Sequence, residues 1–154
     1  MDPNLNETIS EVVCDVFEKL AFMFGEVADR DELPAAADTN VRATMTYSGA
    51  TTGSLSVTVP QEVCFEIAAN VLGTDSDEIE DAQSHDALKE VLNVLCGNLL
   101  TAVAGEDPVF DLSVPEIDQI DANAWTALVE DNNNIVFLID DSPVIVRFTS
   151  EDSE

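Results

Sequence analysis

Two stretches of this chain share one spacing, Glu18-x-x-Ala21-x-x-x-Gly25 and Glu90-x-x-Asn93-x-x-x-Gly97, and this internal echo constrains the fold more than any other feature. A repeated unit cannot be placed independently of its counterpart, so repeats set a whole architecture. Leu55-Ser-Val-Thr-Val-Pro60 and Leu112-Ser-Val-Pro115 reinforce the echo, with each long helical segment leading toward a strand that ends in proline. The order of the matches predicts a pseudo-twofold internal duplication.

The first helical segment runs from about Thr8 to Phe24. Ile9, Val12, Val13, Val16, Phe17, Leu20 and Phe24 form one stripe, and Thr8-x-x-Glu11 has the form of a capping box. A polar, proline-containing loop over 28–40 follows. Val41 to Ser48 and Thr51 to Val59 then alternate around Gly49-Ala-Thr-Thr-Gly53, which reads as a β-hairpin. Pro60 opens a short helix through Cys64, Ile67, Ala68, Val71 and Leu72, with Gly73 as its left-handed stop. The longest apolar helix spans about His85 to Ala104, with Ser84 as N-cap, Asp86 near the positive end of the dipole and Gly105 just past the end. Val109 to Val114, Trp125 to Glu130, Ile135 to Asp140 and Val144 to Thr149 are strand-like, the first two separated by Pro115 and an acidic linker. The expected class is α+β: an antiparallel sheet of about six strands, with two long helices and a short one on one face.

Charge and length bound the function. The 154 residues carry 32 Asp and Glu against 5 Lys and Arg, a formal net charge of −27, on a 45 % hydrophobic composition. A domain of this length buries roughly 68–70 % of the surface its unfolded chain exposes, enough for a core without metal or disulfide. A single domain over 1–154 is expected, ordered from about 8 to 149 and ending in a solvated acidic tail over 150–154. Lys19, Arg30, Arg42, Lys89 and Arg147 are too scattered to form a basic patch, so neither nucleic acid nor an anionic membrane is an expected partner. Without a long uncharged apolar run or a signal-like start, the expectation is a cytoplasmic protein with no membrane span. Such an acidic exterior fits either adaptation to salt or attraction of a basic partner surface.

Metal and nucleophile chemistry find little support. Cys14, Cys64 and Cys96 are odd in number and embedded in apolar helical patterns, as small hydrophobes are. His85 is the only histidine and reads as a helix-start residue. Asp75 to Asp81 resembles the opening of a calcium loop, but Glu80 stands where that loop needs glycine and Asp86 where it needs glutamate. No metal or cofactor of its own is expected.

The polar face of the longest helix is more informative. Leu88, Val91, Leu92, Leu95, Leu99 and Val103 form its core stripe, while Asp86, Glu90, Asn93 and Gly97 advance along another face. Glu90 and Asn93 are about 60° apart and one turn displaced, so both can reach one object. Asn in mid-helix costs several tenths of a kcal/mol against Ala, roughly, because its amide competes for backbone hydrogen bonds.

Asp86-Ala-Leu-Lys-Glu90-Val-Leu-Asn93-Val-Leu-Cys-Gly97-Asn98, followed after Asn93 by a gap of about twenty residues to Pro115 in Leu112-Ser-Val-Pro115, resembles the CheC and CheX chemotaxis phosphatases, and more closely the CheX-like branch. The family pattern is an acid or Ser, three residues, Glu, two residues, Asn, and a later proline. Gly53-Ser-Leu-Ser-Val-Thr-Val-Pro60 leading into Ile67-Ala-Ala-Asn-Val-Leu-Gly73 is similar to the segment this family and the flagellar switch proteins place before that helix. The resemblance covers roughly Thr8 to Thr149. It implies hydrolysis of the aspartyl phosphate on a CheY-like response regulator, with the phosphoaspartate and Mg2+ supplied by the regulator. Glu90 and Asn93 are the implied catalytic residues, and Asp86 and Gly97 lie on the same docking face. CheC carries two such sites and CheX one. Here Ala21 stands at the asparagine position of the first helix, which favours a single site. CheX-like proteins are typically homodimers, and Ile135 to Asp140 with Val144 to Thr149 are the strands expected to pair across a sheet edge. Two other readings compete with the phosphatase: a CheX-like module that docks on a regulator or flagellar switch component without hydrolysis, and an acidic structural subunit.

Overall fold

Alternating apolar residues build the centre of the fold, a hairpin of β2 (Asn40–Ser48) and β3 (Thr51–Pro60). The computed structural model describes residues 3–107 and 109–152. Around the hairpin lie α1 (Pro3–Ala21), β1 (Gly25–Val27), α2 (Gln61–Leu72), α3 (Asp81–Ala104), β4 (Asp111–Leu112), β5 (Glu116–Ile120), α4 (Ala122–Glu130), β6 (Ile135–Ile139) and β7 (Ser142–Asp152). The seven strands form one antiparallel sheet in the order β1-β6-β7-β3-β2-β4, with β5 also on β2. Val41, Ala43, Met45 and Tyr47 of β2, Leu55, Val57 and Val59 of β3, and Val144, Val146 and Phe148 of β7 are buried in one core with the apolar faces of α1, α2 and α3. The class is α+β, as expected, with seven strands rather than six and a fourth helix.

The strand order is symmetric about the β7/β3 pair. In each half a long helix leads to a short strand and then a hairpin; β1 crosses to pair with β6 of the other half, and β5 crosses to pair with β2. This is the expected pseudo-twofold duplication. Of the two echoes, only the helical one follows it: Leu55–Pro60 lies in β3, whose counterpart is β7, whereas Leu112–Pro115 leads into β5.

The opposite sheet face corrects one expectation. Trp125 to Glu130 is helix, not strand: Asp121 caps α4 by accepting the Ala124 N–H at 2.8 Å, and Trp125 packs with Val136 and Ile145 in a second, smaller core. Val136, Ile145, Thr58, Arg42 and Asp118 are successive cross-strand neighbours on this face. The acidic linker after Pro115 is strand β5, and the expected tail begins inside β7, where Ser150 pairs with Gly53; Ser153 and Glu154 lie outside the described residues.

Further corrections concern element ends. The hairpin turns at Gly49 and Ala50, so Gly53 lies within β3, where a side chain would meet the Thr149 carbonyl oxygen at 1.9 Å. Thr8 is inside α1 and caps nothing, because the helix already runs from Pro3. Phe24 falls beyond the helix and is exposed, its expected core place taken by Ala21 and Met23. In the strand order β6 lies between β1 and β7, and β7 between β6 and β3, with β6 pairing β7 only along Ser142–Val146. By length and composition alone α3 would suit a membrane, but it carries Asp86, Lys89 and Glu90 and its apolar stripe packs into the core.

Candidate functional site

The backbone of α3 starts one turn earlier than expected. Glu80 is the N-cap, and its N–H donates to Gln83 Oε1 at 2.9 Å. Ser84, the expected cap, is buried in the first turns: its Oγ donates to the Asp81 carbonyl at 2.7 Å, and its own carbonyl accepts the Cys64 thiol of α2 at 3.1 Å. Asp81, not Asp86, occupies the first turn. His85 is a half-buried residue of the second turn.

From there the helix runs in two faces. Leu88, Val91, Leu92, Leu95 and Leu99 are buried, whereas Val103, the last of the predicted stripe, is 43 % exposed. Asp86, Glu90, Asn93 and Gly97 are all exposed. A methyl group at Gly97 would meet nothing within 4 Å, so the helix backbone there is open to close approach. Asp86 has Lys89 at 4.0 Å, an exposed pair of little energetic weight. The motif residues thus form an uncovered strip of carboxylate, carboxylate, carboxamide and bare backbone. The carboxylates accept and attract cations; the carboxamide can both donate and accept.

The matched positions on α1 form no such strip. Glu18 is exposed, but Cys14 is half-buried and Ala21 is completely buried. Directly after Ala21 the chain leaves the helix through Phe22, at φ 56°, and the Met23 N–H closes onto the Phe17 carbonyl at 3.1 Å. Gly25 is then in β1, so close to β6 that a Cβ would lie 2.1 Å from the Leu138 oxygen. α3, by contrast, continues through Gly97 to Ala104.

The thiols behave as hydrophobes. Burial pushes both Cys64 and Cys96 up to about 11, and burial followed by the charge of Glu26 raises Cys14. Among the described residues no three His, Cys, Asp or Glu side chains cluster as metal ligands.

One neighbour of the strip is not visible from α3 alone. Leu72, assigned by its spacing to the core stripe of α2, is 51 % exposed and stands beside Asp86 and Glu90. The signal was its position in the last turn before Gly73, whose φ of 72° ends the helix at the surface.

A search of curated proteins finds no match. The structure of CheX from Desulfovibrio desulfuricans superposes with a TM-score of 0.68 at 20 % identity, covering 96 % of this chain and 99 % of that one. CheX from Vibrio vulnificus gives 0.69 at 18 %, with 96 % of each chain covered. A chain of the CheX-CheY-BeF3-Mg2+ complex from Borrelia burgdorferi gives 0.61 at 15 %, covering 96 % of this chain and 98 % of that one. These likenesses establish a shared fold. The family described as chemotaxis phosphatase CheX matches residues 41–138, which hold the central hairpin, α2 and all of α3, and on that match the chain belongs to the CheX family.

Proposed function

We propose that this protein hydrolyses the aspartyl phosphate of a CheY-like response regulator, docking α3 against the regulator's active site. The observation that carries the reading is the exposure of Glu90 and Asn93 one turn apart on the long helix of a CheX-family chain. A CheX-CheY complex in a protein of the same fold supports a partner of this kind.

Phosphoryl hydrolysis needs alignment and charge neutralisation more than covalent work by the protein. In the proposed step water attacks phosphorus, the bond from phosphorus to the aspartyl oxygen breaks, and inorganic phosphate and a free carboxylate leave. Asn93 accepts a hydrogen bond from the attacking water through Oδ1 and orients it through its amide. Glu90 pairs with a lysine of the regulator, which fixes the register of Asn93. Asp86 extends the acidic docking face, and Gly97 admits the partner's backbone. Mg2+ belongs to the regulator in this scheme, as the composition of the Borrelia complex supports. The setting is the cytoplasm. Self-association as a homodimer has the free outer edges of the sheet at its disposal, and light scattering at moderate salt measures it.

The test is to phosphorylate receiver domains from the same genome with acetyl phosphate and follow decay with and without the protein. Asn93→Ala should lower turnover on the order of 10²–10³ while binding survives. Glu90→Ala should weaken binding and lower turnover together. Binding without acceleration would make the protein a docking module; neither with any receiver domain would remove the regulator partner altogether.

A further inference from the structure

The proposed α3 surface does not end at the helix. α2 has no pseudo-twofold counterpart among the described residues, and its last two residues, Val71 and Leu72, stand against Gln83, Asp86, Ala87 and Glu90 of α3. Together they enclose an open groove of about 260 Å³. Ala87, only 6 % exposed, forms its floor. Val71 and Leu72 make an aliphatic wall, and the charged groups on the rim are both carboxylates. Asp86 has Lys89 beside it, whereas Glu90 has no ion pair among the described residues. One exposed leucine needs no explanation, but a leucine that walls an apolar groove with an unpaired carboxylate on its lip does.

We infer that this groove is a specificity subsite of the docking surface: it receives one apolar side chain of the receiver domain, presented next to a lysine or arginine that pairs with Glu90. The inference rests on the reading of α3 as the regulator-docking helix. Size supports a single side chain, since a helix about 10–12 Å across does not enter a groove of this volume. Charge supports the cationic neighbour, because the rim attracts a basic residue and repels an acidic one. A second copy of this chain is a poor occupant, as its surface carries a net charge of −27. Position supports a role in specificity: the groove adjoins Glu90 on the side away from Asn93. A side chain seated there adds affinity for the receiver domains that carry it, while the alignment of Asn93 on the phosphorus is left to Glu90.

Leu72→Asn tests the subsite, with Leu72→Met as the conservative variant. The probe is the receiver domain whose dephosphorylation the wild-type protein accelerates, used both phosphorylated and loaded with BeF3 and Mg2+. Leu72→Asn should raise Kd and KM about tenfold, with kcat unchanged within about twofold, while Leu72→Met stays at wild-type values. Thermal melting confirms that each variant is folded, which is expected because Leu72 is half in solvent at a helix end. Wild-type Kd in folded Leu72→Asn, together with weakened Glu90→Ala and inactive Asn93→Ala, overturns the subsite and leaves the phosphatase reading standing. A fall in kcat at unchanged KM overturns it as well. If the wild-type protein neither binds nor dephosphorylates any receiver domain, the phosphatase reading fails and the subsite with it.

Discussion

Ala21→Asn restores to α1 the residue whose counterpart on α3 is Asn93, and the two positions should respond in opposite ways. Ala21 is 0 % exposed and is the last residue of its helix. An asparagine there brings an amide with two donors and a carbonyl into an apolar site. Leaving such a group unsatisfied costs about 1–3 kcal/mol, and the added volume costs roughly 1–3 kcal/mol more. Against a typical total of about 5–15 kcal/mol, that is a large loss, and at about 2–4 °C per kcal/mol it should lower the melting temperature by roughly 5–20 °C. Asn93→Ala removes a poor helix former from an exposed mid-helix position and should leave stability unchanged or raise it by several tenths of a kcal/mol, about. Calorimetry on both variants gives the contrast, and receiver-domain dephosphorylation by Asn93→Ala with and without Ala21→Asn gives the functional arm. A melt of Ala21→Asn within about 2 °C of wild type, or any recovered hydrolysis in the double variant, would refute the argument that this half has no surface on which a site can stand.

Trp125→Ala should cost about 3–5 kcal/mol by emptying the second core between α4 and the sheet. Receiver-domain turnover by the folded fraction should be unchanged, since α3 packs on the other sheet face; a specific loss of turnover would contradict that separation. Of the three thiols, only half-buried Cys14 should react readily with a disulfide reagent in the native state at pH 8, and rapid labelling of two or three would contradict the burial of Cys64 and Cys96. Above pH 9 the unfolded chain ionises Cys64 and Cys96 while the native state holds both protons up to about 11, so the native state binds more protons. Urea midpoints should therefore fall as pH rises through this window, and a flat profile would count against those shifts.

How legible the fold was depended on how local each element's cause is. The core stripe of α3 is set by its own period, so Leu88, Val91, Leu92, Leu95 and Leu99 could be placed from spacing alone, as could the shared exposed face of Glu90 and Asn93. Gly73 and Gly105 likewise announced helix ends that the structure has at φ 72° and 89°. β1 and β5 were not legible, because three and five residues without clean alternation become strands only through β6 and β2. α4 was missed for a different reason. Trp125, Thr126 and Val129 carry β-favouring side chains, but Trp125, Leu128 and Val129 also have helical spacing, and Asp121 was a readable N-cap. The cap residues misled in both long helices, since Thr8 and Ser84 sit inside helices that begin earlier. On the candidate site, spacing reached the α3 strip but not Leu72, which comes from a neighbouring helix.

The distribution of the few cations bears on how an acidic protein would act on a phosphoryl group. Arg42 pairs with Asp118 at 3.0 Å and Arg147 with Asp131 at 3.0 Å, both on the sheet face that carries α4. Arg30 donates to the carbonyls of Asp131 and Asn134 at 2.9 and 2.6 Å, which ties the loop before β2 to the end of α4. Lys19 pairs with Asp15 at 3.1 Å on α1. Only Lys89, already facing Asp86, lies near the Glu90 and Asn93 strip. A strip so poor in positive charge cannot gather a free phosphate ester, because its own carboxylates repel the equatorial oxygens. On the proposed reading, charge neutralisation must then arrive with the substrate, from the regulator's own lysine and Mg2+, and Asn93 contributes only once Glu90 has engaged that lysine. Selectivity for one docked phosphoaspartate over free phosphate esters would follow from what this face lacks as much as from what it presents.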